Sequence, residues 1–481
     1  MRKKLYALLL LSLTANFLYA QQLINGRIHC ENKGIAEVVV TDGRNVTKTN
    51  SKGYYKLFVD GAQSYVYYSL PKHYESPLKN GIPVFYKEIV PHVDRYDFEI
   101  KKSVREQHKH TFVVWADPQI IDPEEFQLLE KVIDDIKGTQ DIYNTSFHGI
   151  SCGDIVFDRL NFFDNYKNSI GRFDFPFYQV LGNHDMDYSN ETHESSRRSY
   201  QKAFGPDYYS FNIGNIHYIV LNDVFYYGYA YHYMGYIDGQ QLEWLKKDLA
   251  QVAKGTTVMI ALHIPTMYTD ADTRPNMEKR QKNSLINNKA FYECLKGYNV
   301  HILAGHSHTQ WNTVINDSIT EHTHAAASAA WWQGEVGLDG TPKGYTVYEV
   351  DGNDIKWYFK GVGIDKDEQL KIYPVGTDAE HPTAFVANVF NYDPLWKVEW
   401  YENDVLKGDM EQYWGVDPLA KSLYAPGKNK KYSWLSYDHT NHLFKAVPAD
   451  EHSQIKVVVT DRFGQKYTRT ISEKKNNENN K

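Results

Sequence analysis

Between residues 111 and 304, apolar strand-like runs alternate with stretches of helical apolar spacing, and few architectures can accept that pattern. Thr111–Ala116, Phe147–Cys152, Pro176–Leu181, Thr257–Leu262 and Val300–Ala304 read as strands, and Glu124–Lys137, Gln240–Val252 and Asn283–Leu295 as helices. Tyr208–Ile213 and Ile216–Leu221 flank Gly214-Asn215 and read as a hairpin. Alternation of this kind builds layered α/β domains. Residues 105–364 are therefore expected to form one α/β domain.

On either side the helical patterns vanish. Residues 21–104 contain short β-branched and aromatic runs broken at Asp42-Gly43, Lys52-Gly53 and Asp60-Gly61, as in a small β-sandwich. Residues 365–472 contain Thr383–Asn388, Trp396–Tyr401, Gln454–Thr460 and Lys466–Thr470, which read as strands of a second β domain. Residues 473–481 are a polar tail with the composition of a disordered segment. The length of 481 residues suits about three domains at ~150 residues each. Aromatics at 15%, including 38 Tyr, agree with abundant β structure.

The first twenty residues join Arg2-Lys3-Lys4, an apolar run from Leu5 to Leu13, and Leu18-Tyr19-Ala20 before Gln21. This is the pattern of a secretory signal peptide, and its apolar run is too short to span a membrane. Cleavage after Ala20 would remove three basic residues and no acidic one, taking the formal charge from −7 to −10. The chain is expected to be exported, to the periplasm or the medium, with no transmembrane segment. Its charge offers no nucleic-acid-binding surface. Cys30, Cys152 and Cys294 are too few and too scattered for a disulfide framework, and no CxxC exists to hold zinc through thiolates.

Five segments of the central domain place metal-competent side chains where a strand is expected to end. They are Asp117-Pro118-Gln119, Gly153-Asp154-Ile155-Val156-Phe157-Asp158, Gly182-Asn183-His184-Asp185, His263, and Gly305-His306-Ser307-His308. In layered α/β folds the carboxyl ends of strands open on one crevice where ligands bind. Any one of these segments alone reads as a turn or polar loop; the ordered set does not.

That set resembles the calcineurin-like metallophosphoesterase superfamily, whose pattern runs D-x-H, G-D-x-x-D, G-N-H-D/E, H and G-H-x-H. The likeness spans roughly residues 110–360, and the flanking domains resemble the β modules of an exported bacterial branch. The N-terminal one is similar to transthyretin-like or carboxypeptidase-regulatory modules. The resemblance implies a four-layer α/β/β/α sandwich and a dinuclear centre of two divalent ions (Mn, Fe, Zn or Mg). Asp117, Asp154 and His308 would hold one ion, with Gln119 where the family usually has His. Asp154 would bridge to a second ion held by Asn183, His263 and His306. His184 would face the scissile phosphate, oriented by Asp158 or Asp185, although the family's second aspartate usually sits closer to the first than Asp158 does. An amide binds a transition metal more weakly than imidazole, so Gln119 implies a looser first site and dependence on added Mn²⁺ or Mg²⁺. Asp-x-Gln also occurs in branches with nucleoside-diphosphate-type hydrolases and a protein phosphatase, so it does not choose the substrate. A phosphorylated small molecule, nucleotide, lipid or glycan would each suit an exported phosphoesterase, and mono- or diesters and diphosphates are all accessible.

Two other readings compete. Gly149-Ile150-Ser151-Cys152-Gly153 matches the G-x-S-x-G elbow of serine hydrolases, with Ser151 as nucleophile, but no helix pattern follows it. The aromatic β modules also permit a non-catalytic glycan- or surface-binding protein. Trp331, Trp332 and His324 are candidates to line a substrate pocket, and the run from Phe225 to Tyr233 to form a lid. Lys279, Arg280, Lys282 and Arg197-Arg198 are candidate phosphate attractors.

Overall fold

The computed structural model describes residues 22–59, 61, 63–267 and 277–471. The expected signal peptide and the polar tail at 473–481 lie outside the described residues. The alternating pattern becomes eleven strands: β1 (Lys109–Trp115), β2 (Ser146–Ser151), β3 (Phe177–Gln179), β4 (Tyr209–Ile213), β5 (Ile216–Val220), β6 (Thr257–Ala261), β7 (Asn299–Ala304), β8 (Trp311–Asn316), β9 (Ile319–Thr323), β10 (Gly344–Asp351) and β11 (Asp354–Gly361). They form two sheets, ordered β3-β2-β1-β10-β11 and β4-β5-β6-β7-β9-β8. β1, β2 and β3 run parallel, as do β5, β6, β7 and β9.

Side-chain alternation along these strands decides the layering. Phe112 and Val114 of β1 face the second sheet, packing with Phe211, Tyr218, Met259 and Leu303. Val113 and Trp115 face the opposite way, towards helices α1 (Glu125–Ile142) and α2 (Phe163–Ile170). Helix α1 buries Leu129, Val132, Ile133 and Ile136, the three-and-four spacing of one helical face. On the far side, Ile219, Val258 and Ile260 pack on Trp244 and Leu245 of α3 (Gly239–Leu249). The result is an α/β/β/α sandwich. Aromatic residues fill its middle: Tyr178 stacks on Phe211 with centroids 3.6 Å apart, and Phe112 on Tyr348 at 4.6 Å.

The N-terminal strands dock on the edge at β4, where Asn212 N–H donates to the Leu70 carbonyl at 2.9 Å. After β11 come two four-stranded antiparallel sheets, one built around Phe385–Val389 and His439–Ala446, the other around Lys397–Glu402 and Ile455–Thr460.

Two helix expectations need correction. The single helix expected over Asn283–Leu295 is two, α4 (Met277–Asn283) and α5 (Asn288–Cys294). Between them Leu285 N–H leaves the helical ladder to donate to the Pro265 carbonyl at 2.9 Å. The C-terminal domain is not free of helices either, since α6 (Pro418–Tyr424) starts on an Asp417 cap with Pro418 in its first turn.

Candidate metal centre

The parallel registers bring the strand ends level: Trp115 pairs with Ser151, and Ala261 with Leu303. The segments that follow therefore leave both sheets at one rim. They are stitched together by backbone bonds, Asp117 N–H to the Gly153 carbonyl (3.2 Å) and Gly305 N–H to the His263 carbonyl (2.9 Å). Asp117, Gln119, Asp154, Asp158, His306 and His308 all take positive φ, from +42° to +68°. Each such residue costs of order 1–3 kcal/mol, and strain of this kind persists where a site is held in shape by its surroundings. Gly153, at φ +88°, is required on a second ground, because a Cβ there would lie 2.6 Å from His263 Nδ1.

The donor atoms converge. His263 Nδ1 donates to the Cys152 carbonyl at 2.8 Å, which turns Nε2 inward. That Nε2 is 3.0 Å from Asn183 Oδ1, 3.2 Å from His306 Nδ1 and 3.3 Å from Asp154 Oδ1. Beside this group Asp117 Oδ1 lies 3.5 Å from His308 Nε2. Gln119 Nε2 donates to Asp154 Oδ2 at 2.7 Å, linking the two groups through Asp154. Asp117 Oδ1, Gln119 Oε1 and His308 Nδ1 are buried with no hydrogen-bond partner. Orphaned buried acceptors are costly unless something else satisfies them. Two neighbouring sets of inward-facing oxygens and imidazole nitrogens, joined by one carboxylate, fit a pair of divalent cations.

The electrostatics agree. Burial opposes ionisation of Asp154, but the His263 and His184 imidazoles outweigh it and hold the carboxyl well below the usual range. Burial and the charge of His263 push His306 down to about 3, so it stays neutral, the form that ligates.

His184 stands at the edge of the cluster. Its backbone N–H donates to Asp154 Oδ1 at 2.8 Å, and its Nδ1 is 3.0 Å from Asp158 Oδ1. The orienting carboxylate is thus Asp158; Asp185 instead accepts from the backbone N–H groups of Gly182 (2.9 Å) and Val156 (3.1 Å). Phe157 lies flat on the His184 ring, centroids 3.9 Å apart.

Consecutive sequence models of calcineurin-like phosphoesterases match the chain: the N terminal of Calcineurin-like phosphoesterase at residues 22–103, Calcineurin-like phosphoesterase at 110–310, and the C terminal of Calcineurin-like phosphoesterase at 321–467. The chain belongs to the calcineurin-like phosphoesterases. No curated protein matches this phosphoesterase. Among solved structures it is similar to a dimetal phosphatase from Danio rerio, with 16% identity over 52% of this chain and 96% of that one (TM-score 0.37). It is also similar to a purple acid phosphatase from yellow lupin (Lupinus luteus) seeds, with 12% identity over 71% and 72% (TM-score 0.41). A third is a 5'-nucleotidase from Candida albicans, with 12% identity over 55% and 54% (TM-score 0.33). Family membership and the clustered ligand atoms make this chain a metal-dependent hydrolase of phosphate esters.

Several expectations for the calcineurin-like phosphoesterase fail on burial. Ser151 ends β2 with no exposed surface, so it cannot act as an exposed nucleophile, and neither the serine-hydrolase nor the glycan-binding reading is favoured. His324 is not available to substrate: it is buried between the sheets, with Nδ1 2.9 Å from the Ala304 carbonyl and Nε2 3.0 Å from Tyr348 Oη. Trp332 is likewise buried, and its indole N–H donates to the Pro118 carbonyl at 2.8 Å, bracing the Asp117 loop rather than lining a pocket. Trp331 does flank the centre, its ring 4.5 Å from that of His308. Arg197 is committed to the buried Asp207 at 2.8 Å and is no phosphate attractor. Val224–Tyr226 and Tyr233–Gly235 pair as a hairpin, and Tyr233 meets the His306 ring edge-on at 6.1 Å. Sequence reasoning missed Asn283, whose Oδ1 lies 3.2 Å from His306 Nε2. No motif marks it, because only the break between α4 and α5 brings it to the rim.

Proposed function

We propose that this phosphoesterase cleaves phosphate esters with Asp117, Gln119, Asp154 and His308 holding one divalent ion and Asp154, Asn183, His263 and His306 the other, while His184 serves the leaving group. When bound, such ions polarise phosphoryl oxygens and lower the pKa of a water towards neutrality. The chain's own residues supply the rest. Asp158 fixes the His184 ring through Nδ1, leaving Nε2 to stabilise charge on the phosphate or to hand a proton to the departing oxygen. Phe157 excludes water from one face of that ring. Asn283, against His306 Nε2, sets that imidazole's orientation.

The observation that carries this reading is the convergence of five separate strand-end segments on one cluster in which Asp117 Oδ1, Gln119 Oε1 and His308 Nδ1 are buried without partners. In support of a looser first site, Gln119 contributes a neutral amide where an imidazole would bind more firmly; we take Mn²⁺ or Mg²⁺ as the exchangeable ion there. We further infer export, on the pattern of residues 1–20, and a phosphorylated small molecule, nucleotide, lipid or glycan as substrate. Purified protein should release product from p-nitrophenyl phosphate or its bis-ester, lose that activity to EDTA, and regain it with Mn²⁺. Full activity in EDTA would overturn the reading. N-terminal sequencing of the mature protein tests export, which predicts a start at Gln21.

A further inference from the structure

The loop that carries His306 and His308 is held from behind by a buried polar chain that runs into the C-terminal module. Only Thr309 separates His308 from Gln310, and Gln310 is gripped twice. Its backbone N–H donates to Asp339 Oδ2 at 2.8 Å, and its side-chain Nε2 donates to Asn391 Oδ1 at 3.0 Å. Asp339, on the connection between β9 and β10, and His442, on the strand His439–Ala446, are both buried. His442 Nε2 lies 3.2 Å from Asp339 Oδ2, and its Nδ1 lies 2.7 Å from Asn388 Oδ1. The Asn388 amide is fixed in that sense, because its Nδ2 donates to the Asp339 carbonyl at 3.0 Å and to Asp417 Oδ2 at 2.8 Å. Both ring nitrogens of His442 therefore face oxygen acceptors, and the ring donates on both sides. Burial would raise the Asp339 carboxyl, but the His442 hydrogen bond and charge, joined by the Gln310 and Thr341 N–H groups, hold it below its usual value.

A buried carboxylate stays where its donors put it, because withdrawing one leaves charge unsatisfied. Of the donors to Asp339, the Gln310 N–H and the N–H and hydroxyl of Thr341 come from the central domain, and His442 alone comes from the C-terminal module. The turn at Asp339 is backed by the start of α6: a Cβ on Gly340, at φ +83°, would lie 2.1 Å from Asp417 Cγ. We propose that His442 is a positioning residue for the first metal site: through Asp339 and Gln310 it fixes the segment after His308, so that this imidazole meets Asp117 in the geometry that binds the ion. The C-terminal module then completes the metal centre from behind without contributing a ligand. His308 itself takes a φ of +59°, a conformation that its surroundings must hold. Partners behind the ligands typically change metal affinity by about 10- to 100-fold.

This inference rests on the two-ion reading, and its test reads metal binding apart from turnover. Full-length protein stripped with EDTA is titrated with Mn²⁺ by calorimetry, and metal retained after dialysis is read by elemental analysis. His442→Ala should raise the Kd of the looser ion about 10-fold and leave the tighter ion in place. A glutamine amide nitrogen falls near the position of Nε2, and an asparagine one near that of Nδ1. His442→Gln, which keeps the donor to Asp339, should therefore bind Mn²⁺ nearly as the wild type does, whereas His442→Asn should behave like His442→Ala. A residue that only filled space would not tell the two amides apart, and this pair carries the comparison if the alanine variant does not fold. Val457→Ala, in the core beneath the module's other sheet, should lower the urea midpoint without moving either Kd. Unchanged Mn²⁺ affinity in His442→Asn, equal behaviour of the two amides, equal weakening of both ions, or the same shift in Val457→Ala overturns the positioning role while hydrolysis stands. Two bound Mn²⁺ with the expected variant pattern, but no turnover of any ester by the wild type, would keep the positioning role and sink the hydrolytic reading. A wild type that binds no Mn²⁺ sinks both.

Discussion

Asp158→Asn isolates how much His184 owes to its carboxylate partner. The two groups are 3.0 Å apart, with His184 23% and Asp158 28% exposed, so water screens the pair only in part. A hydrogen bond to a charged group contributes about 1.5–3 kcal/mol. At 1.36 kcal/mol per tenfold, losing it should lower kcat/KM by about 10- to 150-fold. His184→Ala removes the functional imidazole altogether and should cost about 10²- to 10⁴-fold. Because Asp158 acts through that ring, the double variant should be no slower than His184→Ala, a fully non-additive cycle. An alkyl phosphate is the substrate of choice, since its poor leaving oxygen depends most on a proton donor. The pH profile adds a second readout. Burial disfavours a charged His184, but Asp154 and then Asp158 favour it, and its pKa is raised overall. A neutral amide at 158 weakens that support, so the alkaline limb of kcat/KM should move to lower pH. Additive losses in the cycle, or loss of bound metal in Asp158→Asn, would refute the assignment and place Asp158 among the ligands instead.

Four further substitutions test other parts of the structure. Gln119→His should raise metal retained at the first site after dialysis, read by elemental analysis, and reduce the need for added Mn²⁺; unchanged retention would count against Gln119 as a ligand. Gly182→Ala should remove metal binding and activity together, because its Cβ would fall 2.1 Å from Asp154 N and 2.2 Å from Asp154 Oδ1; an active, metal-replete variant would show that the GNHD loop can shift. Arg197→Ala breaks a buried ion pair of 2.8 Å and should cost about 3–5 kcal/mol, seen as a lower urea midpoint. Burial raises the Asp207 pKa, but Arg197 and its amide partners more than offset this and leave it below 3.8. Its contribution is therefore complete above pH 3.8 and lost as pH falls through the depressed value. Asp207→Asn should flatten that acid limb, and an unchanged limb would assign acid sensitivity elsewhere.

The residue pattern alone determined that the central domain is a layered α/β unit and where its ligand-bearing strands end; the four-layer order was implied by the family resemblance. Continuous apolar runs report strands buried on both faces, three-to-four spacings report the buried face of a helix, and each ligand in Asp117-Pro118-Gln119 or Gly305-His306-Ser307-His308 sits at the end of such a strand run. Those are local properties, so a chain read from end to end displays them. What burial does to a particular side chain is not local. Trp331 and Trp332 are neighbours in sequence, yet one flanks His308 and the other is buried beneath Pro118. Positive φ at both residues turns the backbone between them in a way no side-chain pattern records. His324, a candidate to line the substrate pocket, is instead a strut between two sheets, because strand pairing decides what faces it. Asn283 reached the site only through tertiary packing, carried there by a broken helix. Contacts between segments more than a hundred residues apart depend on how the modules dock, and that free energy is spread over surfaces that no short motif encodes.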